Sequence, residues 1–174
     1  MAVAVVRHVT HTRLEAKTVL AISGSLQSRS SNTALIQLAS QVTDERVQVQ
    51  LLAVLPDLPY FNPELDVEPA PASVTELRAR VGAADGLLIA SPEYAHEMPG
   101  VLKNALDWLV SSGELYGKSV AVLCASPAPE RGRYVREALG RTLDAQGARV
   151  VFSATVAGEP IDVVRAALRA LAVS

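Results

Sequence analysis

The chain has 174 residues, of which 49% are apolar and 20% charged, with sixteen Lys and Arg against eighteen Asp and Glu. That length holds one domain with a sizeable core and is short for two. A net charge of −2 with no Lys/Arg block, and only 4% aromatic residues, gives no footing for nucleic acid or an anionic membrane surface.

Apolar runs reach only about eight residues, well under the ~18 that a membrane span needs. The single cysteine, Cys124, excludes an intrachain disulfide and suits a reducing, cytoplasmic setting. It stands in the apolar run Ser119 to Ala125 and reads as a small buried thiol.

Residues 1–17 carry Arg, His and Lys without the continuous apolar core of a secretory signal, and read as an extension ahead of a domain over 18–174. Thr18 to Ile22 is a buried strand. Asn32 to Val42 has Leu35, Ile36, Leu38 and Ala39 at helical spacing behind a Ser/Asn cluster suited to an N-cap. Val47 to Leu52 alternates apolar and polar residues, the pattern of a strand near a sheet edge. Residues 53–71 hold five prolines and form a long loop of the functional kind.

Helix returns over Ser73 to Ala83, with Ser73 as N-cap and Glu76 completing a capping box. Asp85 to Ala90 is the third strand, and Val101 to Val110 a helix entered through Pro99-Gly100. Val120 to Ala125 is the fourth strand, followed by a helix over Tyr134 to Ala145 that Gly147 ends. Arg149 to Phe152 is the fifth strand and Ile161 to Leu171 the closing helix. Alternation of this kind predicts an α/β fold, a three-layer doubly wound domain with a five-stranded parallel sheet in the order 2-1-3-4-5.

Two segments sit where a strand ends and a helix begins, the edge at which such sheets bind ligands. The first is Ser23-Gly24-Ser25-Leu26-Gln27-Ser28-Arg29-Ser30-Ser31-Asn32-Thr33. Free N–H groups and the positive dipole end of a helix face an anion placed there. Ser23, Ser25, Ser30, Asn32 and Thr33 add neutral donors, Gly24 permits close approach, and Arg29 offers a charge. Neither G-x-x-x-x-G-K-[ST] nor G-x-G-x-x-G is present, so neither an ATP- or GTP-binding loop nor a dinucleotide loop is supported, and the alternative to a phosphate site is a polar turn that caps the helix.

The second segment is Ser91-Pro92-Glu93-Tyr94-Ala95-His96-Glu97-Met98-Pro99-Gly100-Val101-Leu102-Lys103-Asn104-Ala105-Leu106-Asp107-Trp108. Its prolines bracket a stiff loop whose rim carries Glu93, Tyr94 and His96. Tyr94 can wall a planar ligand, while His96 reads as a solvent-facing loop residue. Asp107 reads as the i,i+4 partner of Lys103 and not as half of a catalytic carboxyl pair with Glu93.

Together the segments resemble the NADPH-dependent FMN reductases, whose relatives include quinone, azo-dye and chromate reductases. That family shows G-S-L-R-x-x-S-x-N after the first strand and P-E-Y-N-x-S-x-P-G-x-L-K-N-A-[IL]-D-W after the third. The resemblance implies a flavodoxin-like fold, bound FMN, NADPH or NADH as reductant, and a small-molecule electron acceptor such as a flavin or quinone. It implies that Ser23, Ser25, Gln27, Ser30, Asn32 and Thr33 hold the FMN phosphate. Pro92, Glu93, Tyr94 and Ala95 would line the isoalloxazine, with Ser126 on the loop after the fourth strand.

Ping-pong hydride transfer through the flavin asks for no side chain as acid or base, so no catalytic residue is assigned, and no metal ligand. The resemblance also implies a homodimer or homotetramer, the common states of such relatives. The chain departs from the pattern at Gln27, where the family has Arg, at Ala95-His96-Glu97, and in the Pro/Arg loop over residues 126–133, which lacks the family's Gly-Gly. Those departures frame the alternative: a flavodoxin-like protein with weak or no FMN binding, acting as electron carrier or binding protein.

Overall fold

A computed structural model describes residues 16–42 and 45–174. The expected extension over 1–17 lies outside the described residues up to residue 15. The first strand, β1, begins at Lys17 and runs to Ser23; then follow α1 (Ser31–Gln41), β2 (Val47–Leu52), α2 (Ala72–Ala83) and β3 (Gly86–Ala90). The chain continues through α3 (Gly100–Asp107), β4 (Ser119–Ala125), α4 (Arg133–Ala145), β5 (Arg149–Val156) and α5 (Ile161–Val173). The sheet has five parallel strands in the order β2-β1-β3-β4-β5, as the alternation predicts.

The period-2 alternation of the central strands divides the core. Val19, Ala21, Leu88, Ala90, Ala121 and Leu123 face α1 and α5. Leu20, Ile22, Leu87, Ile89, Val120 and Val122 face α2, α3 and α4. All five residues of β3 are buried, because helices cover both faces of the sheet there. The helices answer with single apolar stripes, Val135, Ala138, Leu139 and Leu143 on α4 and Val164, Ala167, Leu168 and Leu171 on α5. Each stripe follows the helical period.

Three local expectations are corrected. Ser73 caps nothing: α2 starts at Ala72 behind Pro71, with no side-chain cap, so the capping box does not form. Proline before the helix already sets the entry. The helix α3 ends at Asp107 and not Val110: Trp108, its C-cap, still bonds to the Asn104 carbonyl, and at Leu109 and Val110 the bonds tighten to i→i−3 turns. Strand β5 runs on to Val156 because Ser153 to Val156 keep pairing with β4 through a register shift, although their composition is polar and small. Gly147 ends α4 as expected, with φ +74 and the two bonds of a Schellman motif, from its own N–H to Asp144 and from Ala148 to Leu143.

The long loop is a pinned strap. Val54, Leu55 and Leu58 are buried in the core of the α2/α3 side. Asn104 of α3 accepts from the Phe61 N–H at 2.7 Å and donates to the Pro59 carbonyl at 2.9 Å, which also accepts from Trp108 Nε1 at 2.9 Å. Phe61 meets the Trp108 ring edge-on, with centroids 5.1 Å apart. Arg78 donates to the Trp108 carbonyl and to Asp66 further along the loop. Hydrogen bonds from Ser111 and Arg78 hold the Asp66 carboxyl below its ordinary 3.8. A depressed carboxyl stabilises the fold above its unfolded pKa, so this tie is lost only as pH falls through and below the ordinary carboxylate range.

Gly24 continues β1 and donates its N–H to the Ala90 carbonyl at 2.8 Å. A Cβ there would stand 2.9 Å from Ser91 Oγ and 3.0 Å from Leu102 Cδ2. We expect Gly24→Ala to cost about 1–3 kcal/mol, the usual penalty for overpacking. Urea unfolding would check it, and no measurable change would refute the packing role.

Candidate functional site: two loops at the carboxyl edge of the sheet

The loops after β1, β3 and β4 emerge side by side, because Ser23 is in register with Ala90 and Ala90 with Leu123. Between β1 and β3 the connections turn to opposite sides, which makes the crevice a switch point of the fold. The predicted site residues cluster around it.

In the first loop, part of the polar equipment is already spent inside the protein. Ser30, buried, is the N-cap of α1 and accepts from the N–H groups of Asn32 and Thr33. Asn32 is also buried, and its Oδ1 accepts from the Ala125 N–H at 2.9 Å, tying the start of α1 to the end of β4. Ser23 Oγ and Thr33 Oγ1 lie 2.8 Å apart, and Ser25 Oγ accepts from the Gln27 N–H. The exposed members are Leu26, Gln27, Ser28, Arg29 and Ser31. The loop is therefore preorganised, with its outer donors and the Arg29 charge turned toward solvent at the helix end. An anion fits there on charge and donor chemistry.

The second loop is a two-residue hairpin. Tyr94 and Glu97 exchange both backbone hydrogen bonds, at 2.9 and 3.0 Å, with Ala95 at φ +51 and His96 at φ +65. Two successive positive φ values define a type I′ turn, which favours Asn and Gly. Alanine in the left-handed region costs about 1–2 kcal/mol. We expect Ala95→Gly to raise stability by about 1 kcal/mol, read as a higher urea midpoint at unchanged slope. An unchanged or lower midpoint would show the strain is absent.

Three links tie this hairpin to α4. Glu93 Oε2 accepts from the Val135 N–H at 3.1 Å. The His96 ring stacks on Tyr134 with centroids 4.1 Å apart and planes at 27°. Glu97 Oε1 lies 3.7 Å from an Arg141 nitrogen. Sequence reading placed His96 in solvent, and it is exposed, but its partner Tyr134 could not be read from a separation this long. As expected, Asp107 pairs with Lys103 one helical turn away.

Hairpin and α4 enclose a cavity of about 470 Å³ whose lining includes Pro92, Glu93, His96, Cys124, Ser126 and Tyr134. Gly132, at φ +79, closes it, since a Cβ there would fall 2.6 Å from Cys124 Sγ. Cys124 is buried as expected, and burial, followed by the nearby Glu93 charge, pushes its thiol up to about 11. It stays protonated and inert at neutral pH. Ala125 and Ser126 separate this cavity from a second, neutral one of about 420 Å³ beside Ser31, Leu35 and Gly158. Among the described residues, no helix is long and apolar enough to cross a membrane.

A doubly wound parallel sheet with a polar loop after its first strand, beside a cavity between the next two loops, defines the class of flavodoxin-like domains. Within that class, a profile of the NADPH-dependent FMN reductases matches residues 18–160, and the chain belongs to that family.

Among similar proteins, a probable NADPH:quinone oxidoreductase of Oryza sativa is 45% identical over 93 residues, covering 52% of this chain and 46% of its own length. An NAD(P)H-dependent FMN reductase of Pseudomonas aeruginosa is 41% identical over 110 residues, covering 62% and 59%. The chain thus spans about half the length of these curated relatives. Among solved structures, FerB, a flavoenzyme NAD(P)H:(acceptor) oxidoreductase from Paracoccus denitrificans, superposes with a TM-score of 0.73. It shares 25% identity over 90% of this chain and 97% of its own.

Proposed function

We propose that this protein is an FMN-dependent NAD(P)H oxidoreductase that reduces a flavin, quinone or similar small acceptor by ping-pong exchange. The observation that carries the reading is the pairing of the two loops at one switch point, an anion-ready helix end and a cavity of ring size, in a chain of this family. When bound, FMN supplies the redox chemistry, taking hydride from the nicotinamide and releasing electrons to the acceptor.

The protein's part is placement. Ser25, Gln27, Ser28 and Arg29 would meet the phosphate, on a loop fixed from within by Ser23, Ser30, Asn32 and Thr33. Pro92, Glu93, Tyr94, Ala95 and Ser126 would bound the ring. Exposed Leu26 and Tyr94 leave an apolar rim open beside it for nicotinamide and acceptor in turn. We assign no acid, base or metal ligand. The same reading carries a cytoplasmic homodimer or homotetramer.

The test is a visible absorption spectrum of the purified protein before and after adding FMN, then under anaerobic NADPH and NADH. A protein-shifted flavin spectrum that bleaches with either nicotinamide supports the reductase. Retained flavin that neither reduces would replace it with an electron carrier. Failure to retain flavin from excess FMN would mean that Gln27, Ala95 and the loop over 126–133 have closed the site.

A further inference from the structure

The helix α4 begins without a side-chain cap: its N-cap is Gly132, which has none to offer, and Gly132 cannot be replaced because of Cys124 beneath it. Uncapped helix starts leave N–H groups that need acceptors. Here Val135, in the first turn, receives its acceptor from a residue 42 positions earlier, the Glu93 carboxylate at the root of the strained hairpin. The bond spans the two walls of the ring-sized cavity.

The cavity's charged lining is Glu93, Glu130 and Arg131, with titratable His96 at the rim. Glu130, Arg131 and His96 are exposed, whereas Glu93 is partly buried. Exposed charges are screened by water and salt, and partly buried ones much less. Glu130 and Arg131 also oppose each other in sign. Arg136, also partly buried, bonds to Ser153 and is not part of the cavity lining, so Glu93 is the partly buried charge in the wall itself.

On the reading that this cavity holds FMN, we propose that Glu93 is a positioning residue with an electrostatic duty. Its carboxylate serves as the missing cap of α4, which locks the hairpin to the helix, and leaves a shielded negative charge that lowers the reduction potential of the flavin. Both effects follow from one side chain, and they separate by substitution. Glutamine keeps an acceptor oxygen for the Val135 N–H and loses the charge; alanine loses both.

The test compares wild type, Glu93→Gln and Glu93→Ala in three measurements: melting of the flavin-free protein, FMN affinity by fluorescence quenching, and midpoint potential of bound FMN against a reference dye. Glu93→Gln is expected to keep the melting temperature of the flavin-free protein. Its reduction equilibrium should favour reduced flavin by about tenfold, a rise of ~30 mV for a two-electron couple. Glu93→Ala is expected to melt about 2–4 °C lower without flavin, and to bind FMN more weakly.

An unchanged potential in the glutamine variant overturns the electrostatic duty. Unchanged melting in flavin-free Glu93→Ala overturns the positioning role. Wild type that binds no FMN overturns the flavin reading and the potential with it, while the flavin-free melting still decides the cap.

Discussion

Trp108→Ala is expected to lower stability by about 3–5 kcal/mol, the range for emptying a large aromatic site in a core. Trp108 is fully buried at the end of α3. Its removal takes away the ring that Phe61 meets edge-on and the Nε1–H that Pro59 accepts, while Arg78 still grips the backbone carbonyl of residue 108. The strap over residues 53–71 then keeps Asn104 as its remaining side-chain anchor on α3. Urea unfolding measures the loss, and limited proteolysis should show earlier cutting near Tyr60, whose side chain is already exposed. Trp108→Phe should fall between wild type and alanine. A loss under about 1 kcal/mol for alanine would mean the strap is not held through this ring.

The second large effect is on ligand binding. Asn32→Asp is expected to fold nearly as well as wild type and to bind FMN about a hundredfold more weakly or worse. A carboxylate can still accept from the Ala125 N–H, and a negative charge in the first turn of α1 is favoured by the helix dipole. With the phosphate held at the start of α1, as proposed, the same charge would stand close enough to repel it, by several kcal/mol at ~4 Å and an effective dielectric of ~20. Asn32→Ala has the opposite profile: it abandons the Ala125 N–H, at about 1–3 kcal/mol of stability, with a smaller loss of affinity. Melting curves and FMN titration of both variants check the pair. Equal affinities for wild type and Asn32→Asp would place the phosphate somewhere other than the end of α1.

Much of the architecture is legible because it rests on short-range periodicity. Continuous apolar runs such as Thr18 to Ile22, and stripes such as Leu35, Ile36 and Ala39, announce element type wherever a face is buried. The edge placement of β2 follows from its alternation. Gly147 marks its helix end because only a left-handed residue fits there. The misreadings fall where a local rule meets a competitor. Ser73 has the spacing of a capping box, but Pro71 starts the helix one residue earlier. The second half of β5 has no apolar run to show, and its pairing is dictated by the neighbouring strand.

The site divides the same way. The two loops and their position at strand ends were readable, since turn residues, helix starts and the family motif are all contiguous. Sequence alone could not say that Asn104 and Trp108 within that motif hold a strap instead of a ligand, or that Ser30 and Asn32 spend their oxygens inside the fold. Nor could it show Glu93 capping a helix 42 residues away, or His96 lying on Tyr134. Element order is determined by the sequence itself, through local propensity and burial period. Which polar side chains remain free for a ligand is decided only in the tertiary structure, because a donor or acceptor satisfied by a distant backbone has no signature in its own neighbourhood.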